Sequence, residues 1–362
     1  MVLPPNMGYK VRGLKSTMDQ LSLMSRASPP LPAVDNTSDG LAALKRANSY
    51  YRRVPWPEPF SRTTHRLHLG DARDLSWLPD VSVHLVVTSP PYWTLKKYPE
   101  NDRQLAQIHD YELFLDELNK VWRECARVLV PGGRICCVVG DICVPRKTGG
   151  RHYVMPLHSD IQVRAREIGL DCLTPIIWNK IANGVTEAQG NGAGFYGKPY
   201  QPGAIVKNDI EYILFMRKSS EYRCVTPLQK ALSMLTREEM QAWWKPIWTD
   251  IKGASTRAGH PAPYPVKLAA RLTRMFSFAG DTVLDPFVGA GSTCLAALEA
   301  GRNSIGNEIE PAFLDVARRR LTESSKKSRA YGAVSARVEM EAEREVVSSA
   351  RRKRTLETSV AL

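Results

Sequence analysis

The chain has 362 residues, of which 43% are hydrophobic and 24% charged, and its formal net charge is +13. This length predicts one large domain with insertions or two smaller domains, and the apolar fraction excludes wholesale disorder. No segment is apolar enough for a transmembrane helix or for a secretory signal, so we expect no membrane partner. The positive charge favours a polyanionic partner, usually a nucleic acid, over charge that only maintains solubility.

The seven cysteines are an odd number and form no Cys-x-x-Cys pair. This pattern argues against a disulfide framework and against a zinc site, so we expect no bound metal. Sparse thiols are typical of a reducing cytoplasm, which is the compartment that we expect.

Strand and helix patterns alternate through most of the chain. Residues 1–59 are rich in proline and serine and read as an extension with one short helix near 41–50. Strands are predicted at 66–69, 83–87, 134–139, 173–178, 211–216, 282–285 and 303–307. Helices are predicted at 111–130, 161–168, 266–278, 292–300 and 311–321. The alternation predicts an α/β fold with a doubly wound parallel sheet.

Three stretches show no clear hydrophobic periodicity. Residues 181–206 are rich in glycine and asparagine and are predicted to form a loop. Residues 217–250 are basic and aromatic. Beyond residue 325 the chain is charged and poor in large apolar residues, which predicts a solvated helix or a disordered tail.

A glycine-containing loop follows the strand predicted at 282–285. It begins with Asp285, continues through Gly289 and Gly291, and leads into a helix at Ser292. The glycines allow a ligand to approach the backbone, and the helix N-terminus favours an anionic group of that ligand. No lysine precedes Ser292, so the loop is not a P-loop.

The acids of this region narrow the choice of ligand. Glu308 follows the next strand about 20 residues on, where an acid can hold two ribose hydroxyls. A dinucleotide loop normally has glycine where Asp285 stands, because a carboxylate repels pyrophosphate, so a nicotinamide oxidoreductase is disfavoured. Asp285 suits an ammonium or a sulfonium, and S-adenosylmethionine carries both together with a ribose. The alternative is a tight turn with two solvated acids.

A second motif, Thr88-Ser-Pro-Pro-Tyr-Trp93, ends a predicted buried strand. Pro91 fixes its own φ and makes the turn rigid. The Ser89 hydroxyl and the Pro90 carbonyl can both accept hydrogen bonds from one exocyclic amine, and Tyr92 can stack on a planar base. The alternative is a loop that ends the strand around a packed aromatic ring.

Together the two motifs resemble those of the DNA amino-methyltransferases of the β arrangement, in which a Ser/Asn/Asp-Pro-Pro-aromatic motif precedes the cofactor loop. Four further segments look like family motifs and occur in the same order over residues 66–325. They begin at Gly70, Ile177, His260 and Gly306.

The resemblance implies a Rossmann-like methyltransferase sheet with an inserted target-recognition region. We expect an extension at 1–59, a catalytic half at 60–180, a target-recognition region at 181–250, a cofactor half at 251–325 and a tail at 326–362.

The resemblance also implies the roles of individual residues. Ser89, Pro90, Pro91 and Tyr92 form the catalytic motif. The cofactor is S-adenosylmethionine, and the residues expected to bind it are Asp71, His260, Asp285, Phe287, Gly289, Gly291, Ser292 and Glu308. Among these, Asp285 and the glycine turn hold the methionine end, Phe287 packs on adenine, Glu308 takes the ribose and Asp71 accepts from the adenine amine.

The family reaction acts on a base that has left the duplex and needs no covalent intermediate. Methylation at C5 of cytosine uses a Pro-Cys nucleophile in its own family, and this chain contains no Pro-Cys. Serine at the head of the tetrad is commoner among N4-cytosine enzymes, and aspartate among N6-adenine enzymes. We therefore expect N4-cytosine methylation, with N6-adenine methylation as the alternative. More remote alternatives are a non-catalytic DNA-binding regulator and a methyltransferase that acts on RNA or protein.

The expected partner is double-stranded DNA, with a cognate restriction endonuclease and a homodimer as further candidates. Phosphate or guanine contacts are predicted for Arg217, Lys218 and Arg223, and phosphate contacts for Lys96 and Lys97. The alternative for each is an ordinary surface charge.

Overall fold

The computed structural model describes residues 28–94, 99, 103–180, 209–219, 221–254, 264–330 and 335–342. The strands are β1 (Arg62–Leu69), β2 (Val83–Thr88), β3 (Leu129–Val139), β4 (Ile142–Val144), β5 (Tyr153–Met155), β6 (Leu170–Asn179), β7 (Ile210–Lys218), β8 (Ile247–Trp248), β9 (Thr282–Asp285), β10 (Asn303–Glu308) and β11 (Ser335–Ala342). Nine of them form one sheet in the order β11-β1-β10-β9-β2-β3-β7-β6-β8, while β4 and β5 form a separate two-stranded ribbon.

The helices are α1 (Ser38–Tyr51), α2 (Tyr111–Val128), α3 (Arg146–Gly149), α4 (Leu157–Glu167), α5 (Pro227–Ser233), α6 (Arg237–Trp243), α7 (Val266–Phe276), α8 (Ser292–Glu299) and α9 (Pro311–Ala330). α2 shows why they form. Asp110 caps its first turn by accepting from the Leu113 N–H at 2.7 Å, and Leu118, Trp122 and Cys125 are buried at helical spacing.

Helices cover both faces of the sheet. α2 and α4 bury Phe114, Trp122 and Ile161 in one apolar core, and α7 and α8 bury Leu272 and Ala296 in a second core. The strands from β11 through β3 are parallel, so their carboxyl ends meet at one edge of the sheet, which we call the carboxyl edge. In a sheet of this kind the ligand site lies at that edge.

The sheet is mixed, not wholly parallel as the sequence predicts. β7 runs antiparallel to both β3 and β6, whereas β6 and β8 are parallel. An apolar run identifies a strand, but the direction of a strand depends on the path of the connections, which the run does not reveal.

The sequence prediction also missed several elements. Residues 335–342 are not a tail: they form β11, which pairs with β1 along its whole length and buries Ala336. α5, α6 and β8 lie in the stretch predicted to lack a period, although two capping boxes, at Thr226 and Thr236, mark the starts of these helices. The loop predicted at 181–206 lies outside the described residues.

The helix predicted near residues 41–50 is confirmed as α1, and it packs on α5 in a small apolar core. All seven cysteines are free thiols. Among the described residues, no helix is long and apolar enough to cross a membrane, and no cluster of His, Cys, Asp and Glu is suited to a metal ion. Apart from residues 335–342, which belong to the sheet and not to a tail, the domain boundaries given above stay predictions.

Candidate active site

A cleft opens at the carboxyl edge. It brings together both motifs singled out in the sequence. Its walls include Asp71, Ser89, Pro90, Pro91, Tyr92, Gln104, Leu105, Tyr264, Phe287, Gly289, Ser292, Asn307, Glu308 and Phe313.

The catalytic turn continues directly from β2. Pro90, Pro91 and Tyr92 are buried, and Ser89 is partly exposed towards the cleft. The Ser89 hydroxyl donates to the Tyr92 hydroxyl at 3.3 Å, which in turn donates to the carbonyl of Val138 at 3.4 Å. Because a hydroxyl has one proton and two lone pairs, this chain leaves the Ser89 oxygen as an acceptor.

Asp285 lies beneath the residues that line the cleft, and its predicted contact with the methionine end of the cofactor stays a prediction. Its carboxylate is completely buried and accepts from the Thr88 hydroxyl at 2.6 Å, the Thr293 hydroxyl at 2.7 Å and the Phe287 N–H at 3.1 Å. The Tyr264 hydroxyl donates to it at 3.1 Å. Burial raises the pKa of Asp285 above its usual range, while these donors act in the opposite direction. Asp285 thus links the catalytic turn, through Thr88, to the cofactor loop beneath the cleft.

The glycine turn shapes the floor of the cleft. The N–H of Gly289 donates to Glu308 at 2.9 Å. Gly291 has φ +82° at the start of α8, and a Cβ there would lie 2.9 Å from the Cβ of Ala317. Ser292 lines the cleft beside it and donates to the carbonyl of Tyr264 at 2.9 Å. Only glycine satisfies both the left-handed backbone and the close packing at position 291.

Glu308 presents a carboxylate to the cleft at the end of β10. The residue is 8% exposed, and it accepts from the N–H groups of Gly289, Ile309 and Glu310 at 2.9, 3.1 and 3.0 Å. Burial nevertheless raises the pKa of Glu308 to about 7, so these three N–H groups do not fully compensate for lost hydration. Further donors from a ligand would stabilise its ionised form.

Asp71 and Phe287 stand on the walls of the same cleft. The Asp71 carboxylate accepts from the backbone N–H of Arg73 at 2.9 Å and from its guanidinium at 2.6 Å. The same guanidinium donates to Glu117 at 2.7 Å, which fixes the orientation of Asp71. The predicted contacts of Asp71 and Phe287 with adenine stay predictions.

Arg217, Lys218 and Arg223 lie towards the edge of the sheet opposite Ser89, and their predicted contacts with DNA stay predictions. Arg217 lies opposite Arg134, in the middle of β3, and its guanidinium pairs with Asp171 at 2.6 Å. Lys218 donates to the carbonyl of Leu129 at 2.8 Å. Arg223 pairs with Asp281, which precedes β9. The antiparallel direction of β7 carries these residues away from Ser89.

Three predicted residues, Lys96, Lys97 and His260, lie outside the described residues. Thr88, Tyr264 and Thr293, which donate to Asp285, were not predicted to have a role. Thr88 heads the catalytic motif and Tyr264 lies in the motif that begins at His260, so their positions carried a signal. No sequence pattern marked Leu105 and Phe313 as walls of the cleft.

The cleft fits S-adenosylmethionine. Glu308 can accept further hydrogen bonds from two ribose hydroxyls, Phe287 offers an aromatic wall, and Gly289 lines the cleft without a side chain that would block a ligand. The buried carboxylate of Asp285 holds the cofactor loop against the catalytic turn by accepting a hydrogen bond from Thr88.

Comparison with known proteins agrees with this geometry. The sequence model described as DNA methylase, which covers N6 and N4 methyltransferases, matches residues 83–319. The Type II methyltransferase M.MthZI of Methanothermobacter thermautotrophicus is 37% identical over 288 residues, which are 74% of this chain and 79% of that protein.

Two solved structures are also similar to the chain. The putative DNA modification methylase TTHA0409 of Thermus thermophilus, in complex with S-adenosyl-L-methionine, is 48% identical, with a TM-score of 0.60 over 76% of this chain and 99% of that one. The PvuII DNA methyltransferase, described as cytosine-N4-specific, is 17% identical, with a TM-score of 0.51 over 77% of this chain and 96% of that one. At that identity the PvuII structure supports the fold alone.

Proposed function

The chain belongs to the DNA methylase family, and we propose that it methylates the exocyclic N4 amine of a cytosine that has left the duplex. Its coarser activity follows from the family: it is a DNA methyltransferase that uses S-adenosylmethionine. The N4 position, the cytosine base and the residue roles below are the proposal.

The proposal rests on the chain of hydrogen bonds from Ser89 to Tyr92 to Val138. It commits the Ser89 proton to Tyr92 and leaves the serine oxygen free to accept from a base amine. The Pro90 carbonyl is the second proposed acceptor. With both N–H bonds held, the amine nitrogen becomes pyramidal and its lone pair leaves conjugation with the ring.

S-adenosylmethionine, when bound, supplies an electrophilic methyl group on a cationic sulfonium. The protein brings the amine and this group together, and its preorganised acceptors provide much of the rate. Glu308 holds the ribose, and Asp285 fixes the turn that carries Ser89. Neither residue exchanges a proton with the substrate in this proposal: the methyl–sulfur bond breaks as the nitrogen–methyl bond forms, the neutral thioether S-adenosylhomocysteine leaves, and the methylated amine loses its proton to solvent.

The choice of cytosine rests on Ser89 at the head of the tetrad, by resemblance to N4-cytosine enzymes. N6-adenine methylation is the alternative, because the two amines are chemically similar. The intact cleft disfavours a non-catalytic regulator.

The test is nucleoside mass spectrometry of unmethylated genomic DNA after incubation with the protein and S-adenosylmethionine. N4-methylcytosine is the expected product, and N6-methyladenine would overturn the choice of base. Ser89→Ala is the matched variant: turnover should fall severely while the cofactor still binds. Absence of any methylated base despite cofactor binding would reject DNA as the substrate.

We further propose a cognate restriction endonuclease with the same recognition sequence, and a homodimer. Activity on chromosomal DNA would place the chain at the bacterial nucleoid. Light scattering with and without DNA tests the homodimer. Digestion of methylated and unmethylated DNA by any endonuclease encoded beside this chain tests the proposed restriction partner.

A further inference from the structure

The ribbon formed by β4 and β5 begins immediately beside the catalytic turn. Gly140 precedes it, and a Cβ added there would lie 3.5 Å from the ring of Tyr92. The next residue, Asp141, holds the Nδ1 atom of His158 at 2.6 Å, and the His158 ring stacks on Tyr212 at a centroid distance of 3.7 Å. The base of the ribbon is therefore fixed at the carboxyl edge.

The tip of the ribbon carries three exposed cations: Arg146, Lys147 and Arg151. In the described part of the chain, none of them forms an ion pair with an acidic side chain. Many other arginines do, including Arg127 with Asp80 and Glu124. The stretch 142–155 also contains no acidic residue at all. Among the described residues, no acidic side chain compensates the charge of this tip, and the three cations are open to solvent.

An exposed aromatic side chain lies beside these cations. Tyr153 is 37% exposed, and the Arg151 guanidinium lies 5.5 Å from the centroid of its ring. The contact preorganises one arginine on the ribbon without neutralising its charge.

We propose that this ribbon binds the DNA backbone next to the extruded nucleotide. The inference rests on the proposed function, because DNA must lie over the cleft for a base to reach Ser89. At about 3.3 Å per residue, the five steps along the chain from Asp141 to Arg146 span at most about 17 Å. That reach exceeds the depth of the major groove, which is about 8.5 Å.

The ribbon offers exposed arginine and lysine side chains, and residues 142–155 contain no Asn or Gln, the side chains that recognise adenine edges. Because arginine and lysine can contact guanine as well as phosphate, the salt dependence of binding and the methylated sequence distinguish the two kinds of contact. Removal of cations that neutralise phosphates weakens binding to all DNA sequences equally and lowers the salt dependence of binding.

The test compares two triple variants of equal charge change. The ribbon variant is Arg146→Gln, Lys147→Gln, Arg151→Gln. The control is Arg123→Gln, Arg166→Gln, Lys326→Gln, which removes three exposed cations on α2, α4 and α9 that also have no acidic partner in the described part of the chain. All six side chains are exposed, so we expect both variants to fold.

Duplex binding is measured by fluorescence anisotropy over a salt series. At about 0.9 per phosphate, the ribbon variant should lose about 2 to 3 from the slope of log affinity against log salt, and about ten- to a hundredfold in affinity at low salt. The control should lose far less. Cofactor affinity, turnover at saturating DNA and the methylated sequence should all stay unchanged.

Equal losses in both variants, or no loss in the ribbon variant, would overturn the inference. A changed recognition sequence would also overturn it, because the ribbon would then read bases. These outcomes require an unmodified protein that methylates DNA. Failure of that protein to do so would instead refute the proposed function.

Discussion

We predict that cofactor affinity falls as the pH is lowered, because the carboxylate of Glu308 becomes protonated. Burial raises the pKa of its carboxyl group to about 7, from an ordinary value of 4.5, although three backbone N–H groups donate to it. Ribose hydroxyls can donate to the ionised carboxylate. Protonation removes one acceptor and adds a donor, so the cofactor should select the ionised form.

The size of the effect follows from the fraction that is ionised. With a pKa of about 7, roughly nine-tenths of the free protein carries ionised Glu308 at pH 8 and roughly one-tenth at pH 6. The dissociation constant should therefore rise about tenfold from pH 8 to pH 6, which corresponds to about 1.4 kcal/mol. At pH 6, binding should release nearly one proton.

Isothermal titration calorimetry measures both quantities, with two buffers of different ionisation enthalpy at each pH. Glu308→Gln should bind weakly at every pH, with a flat profile. Glu310→Gln is the matched control, since that neighbour lies outside the cleft, and it should keep the tenfold change. A dissociation constant that does not vary between pH 6 and pH 8, or the same slope in Glu308→Gln, would refute the reasoning.

Three further predictions concern the turns around the cleft. Thr88→Val removes the hydrogen bond between the catalytic turn and the cofactor loop, so single-turnover rates should fall, and Thr88→Ser should restore them. Tyr92→Phe frees the Ser89 proton and should lower kcat about tenfold, while calorimetry finds unchanged cofactor affinity. Gly291→Ala forces alanine to φ +82° against Ala317 and should cost about 2–4 kcal/mol in urea unfolding; a loss below about 1 kcal/mol would contradict this account.

The assembly of the cleft could be predicted from the sequence. Ser89, Phe287 and Glu308 each follow a strand that the apolar pattern identified, and parallel strands bring their carboxyl ends to one edge. The motifs placed these residues beyond those ends. To place these residues at one edge, it is enough to know which segments are strands and that these strands run in the same direction.

The direction of a side chain could not be predicted in the same way. The spacing puts Asp285 at the end of β9, yet its carboxylate turns inward because Thr88 and Tyr264, from distant segments, donate to it. Arg217 shows that the direction of a whole strand could not be predicted either. Its position beside aromatic and basic residues suited DNA, but the antiparallel direction of β7 carries it to the opposite edge.

The hydrogen bond between Thr88 and Asp285 joins the two motifs across the sheet. The two residues are 197 positions apart, but β2 and β9 are parallel neighbours in the sheet. The ends of these two strands therefore meet at the carboxyl edge. Because one buried carboxylate supports both turns, displacement of either turn is transmitted to the other. Cofactor affinity and turnover should thus respond together to substitutions beneath the cleft, and separately to substitutions of Ser89 or Glu308 at its surface.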